Sequence, residues 1–209
     1  MKLKVVNKEG KETGKSVELN DEIFAIEPNQ HVVWLDVKHY LANQRQGTHK
    51  SKERAEISKS TKKLLRQKGS GGARHGSAKA PIYVGGGRVF GPRPRDYDFK
   101  LNKKVKTLAR MSVLSARAAE GKIVVVEDFG FESPKTKSYI EFLGALNLGG
   151  SKTLFVVDGN ENNLYLSSRN IPKTKVVEKD SVNTYDLINA ETILLAESTI
   201  SHLETILKD

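Results

Sequence analysis

Fifty-one consecutive residues, Arg45 to Arg95, lack the side chains to build a core of their own. They hold eight apolar side chains larger than alanine (Ile57, Leu64, Leu65, Ile82, Tyr83, Val84, Val89 and Phe90) and nine of the seventeen glycines. So little apolar surface cannot offset the conformational entropy of ordering the segment, so it is either disordered alone or ordered by something outside it. Charge names the chemistry of that partner. Fourteen lysines and arginines stand against two acids, Glu53 and Glu56, so the segment carries +12 while the whole chain carries +10 and the remainder −2. A segment this basic within a nearly neutral protein calls for a polyanion.

Basic tracts are commonly solvated linkers or localisation tails. This one is internal, lies between stretches that read as folded, and mixes charge, glycine and small polar residues rather than repeating one of them. Long structureless loops inside compact domains are uncommon and tend to be functional. The glycines at 69, 71, 72, 76 and 85–87 would let backbone approach phosphates closely. A loop of this length can reach on the order of 80 Å, against a radius of gyration of about 15 Å for the remaining residues. It reads as an arm that threads into its partner. A pI near 9.6 with 7% aromatic residues favours phosphate contact over extensive base stacking.

The flanking sequence alternates strands and helices. Residues 2–6 and the apolar Val17 and Leu19 suggest an edge hairpin with its turn at Glu12–Lys15. Val33, Trp34, Val37, Tyr40 and Leu41 recur at helical spacing between Gln30 and Asn43, which places Trp34 in the core. Asn102 is positioned to cap a helix running to about Glu120, with Gly121 past its end and Lys103, Lys104 and Lys106 in its first turns. Ile123–Val126 and Thr153–Val157 read as strands buried in a sheet, the first as one covered on both faces, Lys175–Val177 as a weaker strand and Thr192–Ala196 as a fourth. Ser133-Pro134 predicts one helix start, Asp158-Gly159-Asn160 a turn, Leu164–Ser168 a short helix, and Ser198 the cap of a last helix. The fold expected is α/β: an open, mainly parallel sheet flanked by helices in a Rossmann-like layering, with a long basic extended loop inserted in the N-terminal half. Residues 1–44 and 97–209 would form a single globular domain and 45–96 the arm.

Other function classes lack their signatures. Gly71–Gly76 is followed by Ser77-Ala78-Lys79, not by the Lys and Ser or Thr of a phosphate loop. No dinucleotide glycine motif or nucleophile elbow occurs. The histidines at 31, 39, 49, 75 and 202 show no ligand spacing, and there is no cysteine. The expectation is no catalytic residue, no metal and no cofactor. A free-standing DNA-binding protein would need an element shaped for the major groove, whereas the charge here sits on a glycine-rich loop. No apolar run approaches the ~18 residues of a membrane span, and Met1–Asn7 lacks the apolar stretch of a secretory signal. An intracellular, soluble protein with no membrane partner is expected.

Several runs resemble one family: Arg45-Gln46-Gly47-Thr48, Arg66-Gln67-Lys68-Gly69-Ser70-Gly71, Phe90-Gly91-Pro92-Arg93-Pro94-Arg95-Asp96-Tyr97, Asn102-Lys103-Lys104 and Pro134-Lys135-Thr136-Lys137. In order and spacing they are similar to the bacterial L-four family of large-subunit ribosomal proteins. The resemblance implies a structural constituent of the cytoplasmic ribosome that binds large-subunit (23S-type) ribosomal RNA, supports subunit assembly and neighbours other large-subunit ribosomal proteins. It implies RNA contacts from Arg45, Gln46, Thr48, Lys50, Lys52, Arg54, Lys62, Lys63, Arg66, Lys68, Arg74, His75, Lys79, Arg88, Arg93, Arg95, Tyr97, Lys103 and Lys104. It also implies a loop tip, Gln67, Lys68, Gly69, Ser70 and Gly71, that helps form the constriction of the exit tunnel and meets the nascent peptide. Two positions depart from the family pattern: Leu65 and Gly72 stand where many members carry an aromatic residue and an arginine.

Overall fold

The computed structural model describes residues 1–159 and 161–208. The chain divides into two compact units, Met1–Leu41 with Lys100–Asp209, and Ala42–Phe99. The first is a mixed α/β unit around a six-stranded sheet in the order β2-β1-β3-β6-β4-β5. Its strands are β1 (Lys2–Val6), β2 (Glu12–Glu18), β3 (Ile123–Val126), β4 (Thr153–Val157), β5 (Thr174–Glu178) and β6 (Thr192–Ala196). β1 and β2 pair antiparallel, and the other pairings, β1 with β3, β3 with β6, β6 with β4 and β4 with β5, are parallel. The sheet is therefore parallel only in part. The hairpin turn lies at 7–11, not at Glu12–Lys15, which belong to β2. Asn7 Oδ1 accepts from the amides of Glu9 and Lys11, both at 2.9 Å, and Gly10 takes φ +77°. An asparagine that bonds the backbone ahead of it makes the turn before the glycine–lysine pair can.

The helices are α1 (Asp21–Phe24), α2 (Gln30–Asn43), α3 (Lys103–Ala119), α4 (Thr136–Ala145), α5 (Asn162–Ser168), α6 (Thr184–Asn189) and α7 (Glu197–Lys208). Successive strand residues point to opposite faces of the sheet, so a strand covered on both sides must be apolar throughout. In β4 and β6 this is visible residue by residue. Leu154, Val156, Ile193 and Leu195 pack in one cluster with Ile23, Phe24, Val33, Val113, Leu187 and Leu203 from α1, α2, α3, α6 and α7. Phe155, Val157, Leu194 and Ala196 pack in the other with Tyr139, Phe142, Leu143 and Leu164 from α4 and α5.

Several helix boundaries differ from expectation. Pro134 lies outside α4, whose N-cap is Lys135, and its buried residues are Tyr139, Phe142 and Leu143, while Ile140 is exposed. Asn102 occupies the N-cap of α3 without a side-chain bond; its carbonyl accepts from Val105 and Lys106. Ser198 falls inside α7, and Asp128 accepts from its amide and, at 2.8 Å, from its hydroxyl. Asn160, part of the expected turn after β4, lies outside the described residues. Trp34 is not in the core: it is 54% exposed. The apolar stripe of α2 is wider than its contact. Val33 and Val37 meet the core and Tyr40 stacks on Tyr185, leaving Trp34 on the outer edge beside His31 and Lys38.

Tyr139 is fully buried and its hydroxyl has no hydrogen-bond partner among the described residues. Burial alone pushes this phenol far above its ordinary value. An unsatisfied buried hydroxyl destabilises a fold, so Tyr139→Phe is expected to raise stability by about 1 kcal/mol, read as a rise of about 2–4 °C in melting temperature. Ionisation of the buried phenol is disfavoured, so the native state loses stability as pH rises above the unfolded phenol's 10. The variant should lack that alkaline loss, which pH-dependent melting curves would show.

Candidate nucleic-acid interface

Beyond Ala42 and Asn43, the last two residues of α2, the second unit contains no helix or strand, and its apolar side chains form no core. Ile82, Val84, Val89 and Phe90 are 72%, 100%, 51% and 103% exposed. Backbone contacts between an outgoing leg and a returning leg hold it instead. Arg95 N–H donates to the Gly47 carbonyl at 3.2 Å, Ser51 N–H to Pro92 at 3.1 Å and Arg88 N–H to Lys52 at 2.9 Å. Further along, Gly87 N–H donates to Lys79 at 3.1 Å and Leu64 N–H to Gly76 at 3.0 Å. Glycine is required where the legs touch. A Cβ at Gly47 would overlap the Arg95 carbonyl, one at Gly87 the Arg54 backbone and one at Gly91 the Ser51 hydroxyl. At Gly69, Gly71, Gly72 and Gly76 a Cβ would meet nothing within 4 Å.

The charged side chains sort into three neighbourhoods. At the foot of the legs the Arg45 guanidinium lies 3.6 Å and that of Arg95 4.5 Å from the centroid of the Tyr97 ring, while the Tyr97 hydroxyl is 3.2 Å from His49 Nε2. Cations over an aromatic face are attracted by its quadrupole. The same environment, chiefly the Arg95 hydrogen bond, holds the phenol below its ordinary value. Halfway along, both acids are engaged: Glu53 with Arg93 at 2.6 Å and Glu56 with Lys50. The Lys50 hydrogen bond is the main reason the Glu56 carboxyl titrates below its usual range. Among the described residues, the other twelve of the fourteen cations between Arg45 and Arg95 have no carboxylate partner.

The third neighbourhood is an open groove of about 920 Å³ whose lining includes Arg54, Lys63, Gln67, Arg74, His75 and Lys79. Arg54 donates to the buried Ser77 at 3.4 Å, and the Gln67 side chain accepts from Lys63. His75 lies edge-on to Tyr83, with Nδ1 buried and without a hydrogen-bond partner among the described residues. Gln46, Thr48, Lys62, Arg66 and the residues from Gln67 to Gly71 are exposed, and Gly69 and Gly71 take φ of +82° and +66°. Lys103 and Lys104 belong to the first unit, exposed in the first turn of α3, where no acid offsets the positive end of the helix dipole. Sequence reasoning missed His49, Ser77 and Phe90. Nothing local marks His49 as the partner of a residue 48 positions away.

Among the described residues no group of three or more His, Asp or Glu side chains could hold a metal ion, and no helix is long and apolar enough to cross a membrane. What the second unit offers is an unneutralised cationic surface on a glycine-rich backbone, suited to phosphate and sugar contacts.

Comparison with known proteins matches residues 17–206 to a sequence model of the Ribosomal protein L4/L1 family. The chain is 56% identical over 207 residues to the large ribosomal subunit protein uL4 of Cytophaga hutchinsonii, covering 99% of this chain and 100% of that one. It is 57% identical over 204 residues to its counterpart in Flavobacterium psychrophilum, covering 98% of each. With that of Porphyromonas gingivalis it shares 52% identity over 208 residues, covering 100% of both.

Proposed function

The chain belongs to the ribosomal protein L4/L1 family, and on that premise we propose that it is a structural constituent of the bacterial large ribosomal subunit that binds and holds ribosomal RNA. It is a ribosomal protein rather than an enzyme, and its place is the cytoplasmic ribosome. The observation that carries the RNA-binding reading is the set of twelve cations without carboxylate partners among the described residues, in a unit that has no hydrophobic core. Such a surface neutralises phosphates and releases counterions, and its ordering is completed by the nucleic acid.

In this reading residues 1–44 and 97–209 form the globular domain and 45–96 the arm. The stem residues Arg45, Lys52, Arg54, Arg88, Arg93 and Arg95, with Tyr97, position the arm on RNA. Lys62, Lys63, Arg66, Arg74, His75 and Lys79 serve its far half, and Lys103 and Lys104 add RNA contacts from the globular domain. The exposed tip, Gln67 to Gly71, lines the exit tunnel and meets the nascent peptide; the open space around Gly69 and Gly71 in the free protein supports a role in which the surroundings shape it. Neighbouring large-subunit ribosomal proteins are the remaining partners, and assembly of the subunit is the process served.

The test is crosslinking in cells, with the bound RNA sequenced for the intact chain and for a chain lacking residues 48–95. Large-subunit ribosomal RNA should dominate, and the deletion should remove most contacts internal to the folded RNA. Heterogeneous RNA, or a contact map the deletion leaves unchanged, would reject the assignment of the arm.

A further inference from the structure

Ser51 and Lys52 are consecutive, yet their backbone partners on the returning leg, Pro92 and Arg88, lie four positions apart. Val89, Phe90 and Gly91 therefore have no opposite number and must loop out, as in an enlarged β-bulge. Gly91 allows the loop to close, since a Cβ there would overlap the Ser51 hydroxyl. The outcome at Phe90 is unusual in two ways. Its φ is +50°, a region bulky residues avoid, and its side chain is fully exposed. Neither backbone preference nor packing in the protein accounts for a phenylalanine there. Strain held in place by the surrounding backbone points toward a functional role.

The surroundings give the chemistry. Phe90 borders an open pocket of about 650 Å³ shared with Arg54, Arg88 and Arg93. Arg93 is engaged by Glu53 at 2.6 Å, whereas Arg54 and Arg88 have no carboxylate partner among the described residues. A flat apolar ring beside two available guanidiniums matches a nucleotide, which has a π face joined to a phosphate. Proteins read unpaired RNA by stacking its bases on aromatic side chains. We propose that Phe90 is a nucleobase-stacking residue: an unpaired base of the bound RNA lies on its ring, and Arg54 and Arg88 take the adjoining phosphates. This rests on the RNA-binding reading above and adds to it a contact that charge alone does not supply.

The experiment measures affinity of the full chain for protein-free large-subunit ribosomal RNA across a salt series. Phe90→Ala should bind about 5- to 100-fold more weakly, by the same factor at every salt concentration, because the phosphate contacts that set the slope remain. Phe90→Trp should keep parental affinity and Phe90→Leu should resemble Phe90→Ala. Phe90→Gly should not lower the melting temperature of the free protein, since it removes no packing and relieves the positive φ, which separates stacking from folding. Parental affinity in Phe90→Ala overturns the proposal. If Arg54→Ala and Arg88→Ala still weaken binding and flatten the slope in that case, the RNA-binding reading stands and only stacking falls. A flat salt response in the parent overturns both. Unchanged RNA affinity together with loss of a co-purifying ribosomal protein would assign the ring to a protein contact and also overturn the proposal.

Discussion

Raising monovalent salt from about 50 to 200 mM is expected to weaken binding of the intact chain to large-subunit ribosomal RNA by about 10³- to 10⁵-fold. The cause is the twelve cations between Arg45 and Arg95 that have no carboxylate partner among the described residues. If six to ten of them reach phosphates, each contributes a slope of about −0.7 to −0.9 to log K against log salt. Removing residues 48–95 should flatten that slope to what Arg45, Lys103, Lys104 and other scattered cations sustain. The excision is structurally mild. Gly47 and Arg95 are already hydrogen-bonded neighbours, at 3.2 Å, so joining Gly47 to Asp96 closes a short gap. Both apolar clusters lie wholly outside the excised segment. Titration of a labelled RNA across salt concentrations decides the matter; a slope shallower than two charges' worth in the intact chain would sink the electrostatic account.

The second large effect concerns stability. Leu195→Ala is expected to destabilise the protein by about 2–5 kcal/mol, a drop of about 4–20 °C in melting temperature. Leu195 has no exposed surface and sits in β6, which pairs with β3 on one side and β4 on the other. Its side chain belongs to the larger of the two apolar clusters, so truncation opens a cavity inside a close-packed core. Thermal or denaturant unfolding measures it. A loss below about 1 kcal/mol would mean that the site collapses freely and that the central sheet contributes less than its burial suggests.

Much of the sheet was legible because the relevant signal is local. Ile123–Val126, Thr153–Val157 and Thr192–Ala196 emerge with the bounds the apolar runs suggested. α1 and α6 were not legible: four and six residues span less than two turns, too few to show a 3.6-residue period. Their signals lie in capping instead, Asn20 accepting from Glu22 and Asn183 from Asp186. Trp34 failed for a different reason. Periodicity shows which residues share a helix face but not how much of that face a neighbour covers, and here cover stops at Val33, Val37 and Tyr40. In the candidate interface the cations could be counted from the sequence, but their sorting could not. The clamp of Arg45, Arg95 and Tyr97 and the bulge at Phe90 depend on pairing between positions roughly 35 to 50 apart, which no local pattern encodes.

The glycines of the second unit divide its positions by who sets the rules of replacement. At Gly47 and Gly87 any side chain collides with backbone of the protein's own opposite leg, so a substitution is rejected before any partner is met. At Gly72 and Gly76 the free protein has no objection to a larger residue. Natural variation at these two positions is thus unfiltered by folding, unlike that at Gly69 and Gly71, whose positive φ already favours glycine, and whatever limits it is selection imposed by the particle around it. Drift in the stem should register as loss of protein, and drift at Gly72 and Gly76 as altered ribosomes built from protein that folds normally.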